Sequence, residues 1–273
     1  MAKSRCARVS LCMIALNEEQ LIEGCLRSAH GIVDEIVVGI DTRTTDQTEQ
    51  IAHRYGARTI PIEWRNDFSL ARNTVIEQAK GDWILVLDAD DRLTAAGVAV
   101  VKHVRRSRGD AVFGHVFNQL MFEVDERRID GSRITTWQGT CRMFRMASKP
   151  RYINRVHESV PRIGETAQLM GGPHILHLGR DPHIYTLRDK VSRNLALLKL
   201  SLSENARDPF VHYYLARHYA IVDPDRQRAT AHARTALAES ARAENEGTVW
   251  MEPASKAELQ QLLDTGSADW RGE

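Results

Sequence analysis

Between Arg8 and Leu93 the chain alternates short apolar runs with amphipathic stretches, and this alternation restricts the fold more than any other feature. Arg8–Ala15, Glu35–Ile40, Arg58–Ile62 and Trp83–Leu87 are the runs. Their near-continuous apolar character suits strands covered on both faces. Glu18–Ala29 carries Leu21, Ile22, Cys25 and Leu26 at helical spacing, and Thr45–Tyr55 and Ser69–Ala79 read as two further helices. Thr45 is the expected cap of the second, and Pro61 puts the third strand at an edge or a strand end. A β-α-β-α-β-α-β order predicts an α/β fold: a Rossmann-like, mostly parallel sheet flanked by helices.

Ligands of such sheets bind in the crevice at the carboxyl ends of the strands. Polar residues stand there in this chain: Asn17, Asp41 and Asp88. The sharpest element is Asp88-Ala89-Asp90-Asp91, directly after the most apolar run. Carboxylates this close repel one another, so they stay ionised together only beside a cation or strong hydrogen-bond donors. Mg²⁺ and Mn²⁺ prefer oxygen ligands and commonly join one or two carboxylates to substrate phosphates. The alternative is structural, with Asp90 and Asp91 capping the helix that begins near Thr94.

Beyond that point Thr94–Ser107 reads as a helix and Asp110–Val124 as an extended segment. Asp130-Gly131 has the chemistry of a hairpin turn and Gly171-Gly172-Pro173 that of a bend. Arg142–Arg145 and Ile175–Leu178 read as short strands. From Tyr185 the chain becomes helix-prone, with Pro209–Val222 and Arg226–Ser240 as an antiparallel pair, each opened by Asp-Pro. That is one tetratricopeptide-like hairpin, or simply a helical cap. The expected division is residues 1–184 for the α/β domain, with a nucleotide half at 8–93 and an acceptor half at 94–184, and residues 185–273 for a C-terminal helical appendage.

The formal charge of +1 over 273 residues gives no overall field for nucleic acid, so none is expected as a partner. Arg105, Arg106 and Arg108 form a local basic run that leaves peripheral attachment to a membrane open. No stretch approaches the roughly 18 consecutive apolar residues of a membrane span. Val9–Leu16 ends in Asn17-Glu18-Glu19 rather than in a cleavage site, and the four cysteines form no CxxC pair, so a cytoplasmic setting is expected. A phosphate-binding P-loop, a G-x-S-x-G elbow, an H-E-x-x-H helix and a G-x-G-x-x-G fingerprint are all missing from the sequence.

Five ordered motifs carry a family resemblance. They are Asn17-Glu18-Glu19; Asp34-Glu35-Ile36-Val37-Val38 leading into Asp41; Thr45-Asp46-x-Thr48; Asp67-Phe68-Ser69-x-Ala71-Arg72-Asn73; and Gly81-Asp82-Trp83 through Asp88-Ala89-Asp90. Together they resemble glycosyltransferase family 2, the inverting enzymes of GT-A fold, in a branch with a short tetratricopeptide-like helical region. Asp91 stands where this branch often has Glu, Gly39 where an apolar residue is usual, and Arg43 where a small one is common.

The resemblance implies metal-dependent transfer of a sugar from a nucleotide-sugar, a UDP-sugar being the expected donor, with Mn²⁺ or Mg²⁺ as cofactor. Asp41 and Arg72 would contact the nucleobase, and the backbone at Ala15 and Leu16 would flank it, with Asn17 and Glu18 following. Asp88 and Ala89 would lie at the ribose and metal shell, with Asp88, Asp90 and His177 around the metal. Arg72 has a structural alternative as the ion-pair partner of Asp67 or Asp88. Arg155-Val156-His157-Glu158-Ser159-Val160 resembles the branch's His-Glu element, making Glu158 the first candidate for the base and His157 either that base or a structural residue. His174 and His183 compete with His177 for the ligand role. The acceptor is open: a glycan, a lipid-linked glycan, a peptide or a protein. The C-terminal helices could serve a homodimer. Two other functions remain as alternatives, a sugar nucleotidyltransferase and a non-catalytic interaction module.

Overall fold

The computed structural model describes residues 6–106, 114–117, 119–124, 132–136, 140–161, 166–168, 173–178, 190–246, 251 and 253–268. The four apolar runs fold as β1 (Val9–Ala15), β2 (Glu35–Asp41), β3 (Arg58–Ile62) and β4 (Trp83–Val86). Between them lie α1 (Ile22–Ala29), α2 (Thr48–Arg54) and α3 (Phe68–Ile76). β4 is followed at once by β5 (Asp91–Leu93) and α4 (Ala95–Arg106). The later strands are β6 (Gly114–Phe117), β7 (Gln119–Val124), β8 (Ser132–Thr136), β9 (Thr140–Arg145), β10 (Thr166–Gln168) and β11 (Ile175–His177).

A seven-stranded sheet has the order β10-β6-β9-β4-β1-β2-β3, and a four-stranded sheet has the order β5-β11-β7-β8. β4, β1, β2 and β3 run parallel, while β9 joins β4 antiparallel with Arg145 opposite Trp83. β3 is the edge strand, one of the two placements that Pro61 suggests.

Alternate residues of one strand serve two cores. Val9, Leu11, Met13, Trp83 and Leu85 pack with Ile22, Leu26, Ile51 and Val104 on the α1, α2 and α4 face. Cys12, Ile84 and Val86 pack with Ala71, Val75 and Ile76 of α3 on the other. This two-sided burial explains the unbroken apolar runs: no position of β4 faces water. Gly39 has its reason here too. A Cβ at that position would lie 2.6 Å from Val75 Cγ2 and 2.8 Å from Ile62 Cγ1, so the bare backbone lets α3 settle onto the sheet.

α2 begins at Thr48 rather than at Thr45. Asp46 supplies the turn instead, its Oδ1 accepting from the Thr48 N–H at 2.9 Å and from the Thr48 hydroxyl at 2.5 Å. Thr48 Oγ1 in turn accepts the Glu18 N–H at 2.7 Å, so the loops after β1 and β2 are fastened together.

The chain divides into two compact units, Met1–Arg188 and Asp189–Glu273. The second contains α5 (Lys190–Glu204), α6 (Pro209–Arg217) continued by a π-helical turn (His218–Val222), α7 (Arg226–Asn245) and α8 (Pro253–Thr265). Asp208 caps α6 with Pro209 in its first turn, as the sequence suggests. α7 is capped by Asp225 rather than by Asp223, its side chain accepting from the Arg228 N–H at 3.0 Å. Ala229, Ala233, Ala236 and Ala243 form the buried side of α7, small enough for close helix packing. Among the described residues no helix is long and apolar enough to cross a membrane. Asp130-Gly131, Gly171-Gly172, Arg108 and His183 lie outside the described residues.

Candidate active site

Because β1, β2 and β4 are parallel, their carboxyl ends deliver Asn17, Asp41 and Asp88 to the same edge of the sheet. Asn17 adopts a left-handed backbone (φ 52°), and its Oδ1 accepts the Thr45 N–H at 2.8 Å. Asn17 and Glu18 therefore brace the loop junction. Ala15 is buried, and Leu16 is exposed beside it.

Asp41 is buried, and Arg43 closes on it with a fork: Nε to Oδ1 at 2.9 Å and Nη2 to Oδ2 at 2.7 Å. The hydrogen bonds from Arg43 lead over burial in holding the Asp41 carboxyl below its ordinary pKa. The Arg43 guanidinium also lies 5.7 Å from the Trp64 ring centre. Asp41 and Arg72 are thus not paired with each other in this structure; each has its own partner.

Arg72 reaches inward from α3. Its Nε lies 2.6 Å from Glu158 Oε1 and its Nη2 lies 2.8 Å from Asp88 Oδ1. Arg142 of β9 approaches the other Asp88 oxygen at 3.2 Å and Asp91 Oδ2 at 3.8 Å. Burial opposes the charge on Asp88, but Arg72, Arg142 and His177 outweigh it and hold the pKa well below the usual carboxylate range. Both arginines are buried cations with raised pKa values, the two carboxylates offsetting desolvation in each case. Tyr152 packs 5.5 Å beneath Arg72, and burial pushes its hydroxyl up to about 12.

The Asp67-Phe68-Ser69-x-Ala71-Arg72-Asn73 motif proves to be a fastening between α3 and residues 152–158. Asp67 caps α3 through the Leu70 N–H at 2.9 Å, and the Phe68 N–H donates to the Arg155 carbonyl at 2.9 Å. Asn73 bonds both backbone groups of Tyr152, at 2.8 and 2.9 Å. The short loop so held has an Ile153–Ser159 bridge and left-handed backbones at Asn154 (φ 73°) and His157 (φ 54°). Residues held in that region store about 1–3 kcal/mol each, and such strain gathers at functional sites.

The second cluster lies where β5 meets β11, with His177 opposite Asp91. His177 Nδ1 is 2.8 Å from Asp91 Oδ1 and 3.6 Å from Asp90 Oδ1. Burial lowers the His177 pKa, but the Asp91 hydrogen bond and the charges of Asp90, Asp91 and Asp88 outweigh it, leaving it raised. One ligand atom each from Asp90, Asp91 and His177 lie within 4.8 Å of one another. Two carboxylates and an imidazole suit Mn²⁺ or Mg²⁺, the imidazole favouring Mn²⁺. Asp88 stands beside this group with both oxygens engaged by arginines. His174 is separate: it is buried edge-on against Phe117, with ring centres 5.7 Å apart.

Sequence reasoning missed Arg142 and Tyr152 and did not single out the contact between Asp91 and His177. A signal existed for Arg142, which shares a strand face with the buried Phe144, where a charge needs a partner. Asp91 read equally well as a helix cap.

Residues 10–152 match the family described as Glycosyl transferase family 2, more than half of the chain, and the protein belongs to that family. Among curated relatives, a TPR repeat-containing protein of Synechococcus elongatus is 38% identical over 154 residues, covering 56% of this chain and 36% of the relative. The SPbeta prophage-derived glycosyltransferase SunS of Bacillus subtilis is 26% identical over 229 residues, covering 82% of this chain and 52% of SunS. The chain thus spans about a third to a half of the length of these relatives. Among solved structures, residues 1–349 of Staphylococcus aureus TarS align over 96% of this chain and 93% of that one, with 13% identity and a TM-score of 0.46. Glucosyl-3-phosphoglycerate synthase of Mycobacterium tuberculosis, solved with Mn²⁺ and UDP, aligns over 42% of this chain and 44% of its own, with 24% identity and a TM-score of 0.35.

Proposed function

We propose that this protein transfers a sugar from a nucleotide-sugar, with a UDP-sugar as donor, to a hydroxyl or other nucleophile of an acceptor, inverting the anomeric configuration. The observation that carries this reading is the meeting of two clusters at Asp88. On one side lies the Asp90–Asp91–His177 group, and on the other the Arg72–Glu158 pair. Membership of family 2 supplies the reaction class.

Glu158 is assigned as the base. Its carboxylate is held by Arg72 on a braced loop, where it can take the acceptor proton as the nucleophile attacks the anomeric carbon. The C1–oxygen bond to the diphosphate breaks as the new bond forms, and negative charge grows on the leaving group. A divalent cation at Asp90 and His177 would stabilise that charge. Arg142, beside Asp88 and Asp91, adds a buried positive charge to the same corner. The nucleoside is assigned to the crevice formed by Ala15, Leu16 and the Asp41–Arg43 pair, where Arg43 must be displaced or must join in base recognition. His157 is assigned to shaping the loop, on its left-handed backbone.

Thermal-shift and calorimetric binding of UDP, GDP and CDP, each with and without Mn²⁺, tests the assignment. Stabilisation by UDP that requires Mn²⁺ is expected. Indifference to all three nucleotides in the presence of metal would overturn it.

A further inference from the structure

Both oxygens of Asp91 have defined partners. Asp91 is fully buried. Its Oδ2 accepts the Asp88 N–H at 2.9 Å, and its Oδ1 lies 2.8 Å from His177 Nδ1. The strand register fixes that second contact, because Asp91 of β5 and His177 of β11 are directly opposed. Asp90 Oδ1 is 3.6 Å from the same nitrogen, beyond hydrogen-bond length. An ionised carboxylate offers acceptors only, so the proton of the short contact sits on Nδ1. A neutral imidazole protonated there keeps its lone pair on Nε2. The buried carboxylate thus holds the Nδ1 edge of the ring.

We propose that Asp91 is a positioning residue: it fixes His177 as the Nδ1–H tautomer and so leaves Nε2 as the imidazole's ligand atom for a divalent cation shared with Asp90. The inference rests on the metal-dependent reading above. Its physical basis is general, since a histidine that ligates a metal commonly donates its other ring N–H to a carboxylate, which sets both tautomer and ring orientation. Asp91 then acts on the cation through His177 rather than by touching it. A second consequence concerns Asp88. The same carboxylate that orients His177 also holds the Asp88 backbone, so the imidazole and the acidic turn are set by one side chain.

The isosteric variant Asp91→Asn separates this from a plain structural role. One atom of the new amide can still accept the Asp88 N–H, while the other becomes a donor to Nδ1. The ring must then carry its proton on Nε2, where the lone pair is needed.

Two measurements on the full chain decide the matter. Long-range ¹H–¹⁵N correlation of the histidine rings should show His177 protonated at Nδ1 in the wild type, with added Zn²⁺ moving the Nε2 resonance. Titration with Mn²⁺ alone, followed by the loss of its free electron-paramagnetic signal, should show affinity about 10–100-fold weaker in Asp91→Asn. The variant's His177 should carry its proton on Nε2. A wild-type Nδ1 without a proton, a Zn²⁺ shift at Nδ1, or Mn²⁺ affinity unchanged in the variant would each overturn the proposal. If the variant does not fold, the wild-type tautomer and its Zn²⁺ response decide. Failure of the sugar-transfer reading would show instead as absent nucleotide binding or turnover, which these readouts do not involve.

Discussion

The Nε of Arg72 lies 2.6 Å from Glu158, while the same guanidinium holds Asp88 at 2.8 Å through Nη2. One side chain of α3 therefore joins the acidic turn after β4 to the loop that carries the proposed base. Removing it would take the shared guanidinium from two partly buried carboxylates, leaving Asp88 with Arg142 alone. Arg72→Ala should lower stability by about 3–5 kcal/mol, the usual cost of stranding a buried charge. Arg72→Lys, which keeps the charge but loses the fork, should recover part of it. Urea denaturation of both variants checks this; equal stability of Arg72→Ala and wild type would show that the network is not holding the loop.

Glu158→Gln keeps the shape of the base and removes its proton affinity. Turnover should fall by about 10²–10⁴-fold, the range for a lost general base, with donor binding retained. Steady-state rates combined with calorimetric UDP-sugar binding separate the two effects. A loss of donor affinity would move Glu158 into the binding shell and send the search for a base elsewhere.

Asp90→Ala should abolish Mn²⁺-dependent stabilisation by UDP without unfolding the chain, because its carboxylate faces the cation cluster rather than the apolar cores. Circular dichroism and thermal shifts with and without Mn²⁺ check this. Persistence of the metal effect would remove Asp90 from the site.

Gly39→Val tests the packing beneath the site. The added side chain would collide with Val75 and Ile62, and overpacking of this kind costs about 1–3 kcal/mol. Denaturant unfolding should show that loss, and unchanged stability would mean that α3 can lift from β2 at little cost.

The helical unit should carry its own pH dependence. His212 Nε2 donates to the Ala206 carbonyl, which leaves its Nδ1 to accept from His232 Nδ1 at 2.8 Å. Tyr219 stacks on His232, with Arg228 over Tyr219. Burial leads, with His212 and Arg228 adding to it, in lowering the His232 pKa. The unfolded chain then binds the proton more readily, so this contribution is complete above the ordinary histidine pKa of about 6.5 and is lost as pH falls through the lowered folded value. Amide exchange in α6 and α7 should accelerate, relative to global unfolding, between pH 7.5 and 5. His232→Gln should flatten that change, and an unaltered pH response would assign it to another group.

The division between sequence and tertiary structure follows from the reach of each interaction. Period and burial fixed the parallel strands β1 to β4, because a run such as Trp83–Val86 is stable only when covered on both faces. The order of those strands then put Asn17, Asp41 and Asp88 at one edge, and the acidic motif after β4 was legible for that reason. What the sequence could not hold was partnership across long separations. Asp41 pairs with its near neighbour Arg43 rather than standing open, Asp88 is shared between Arg72 and Arg142, and Asp91 finds His177 through an antiparallel ladder 86 residues away. Carboxylates in a row look alike along a chain. Only the packing of β9, β11 and the 152–158 loop around them decides which is neutralised by arginine and which bonds an imidazole.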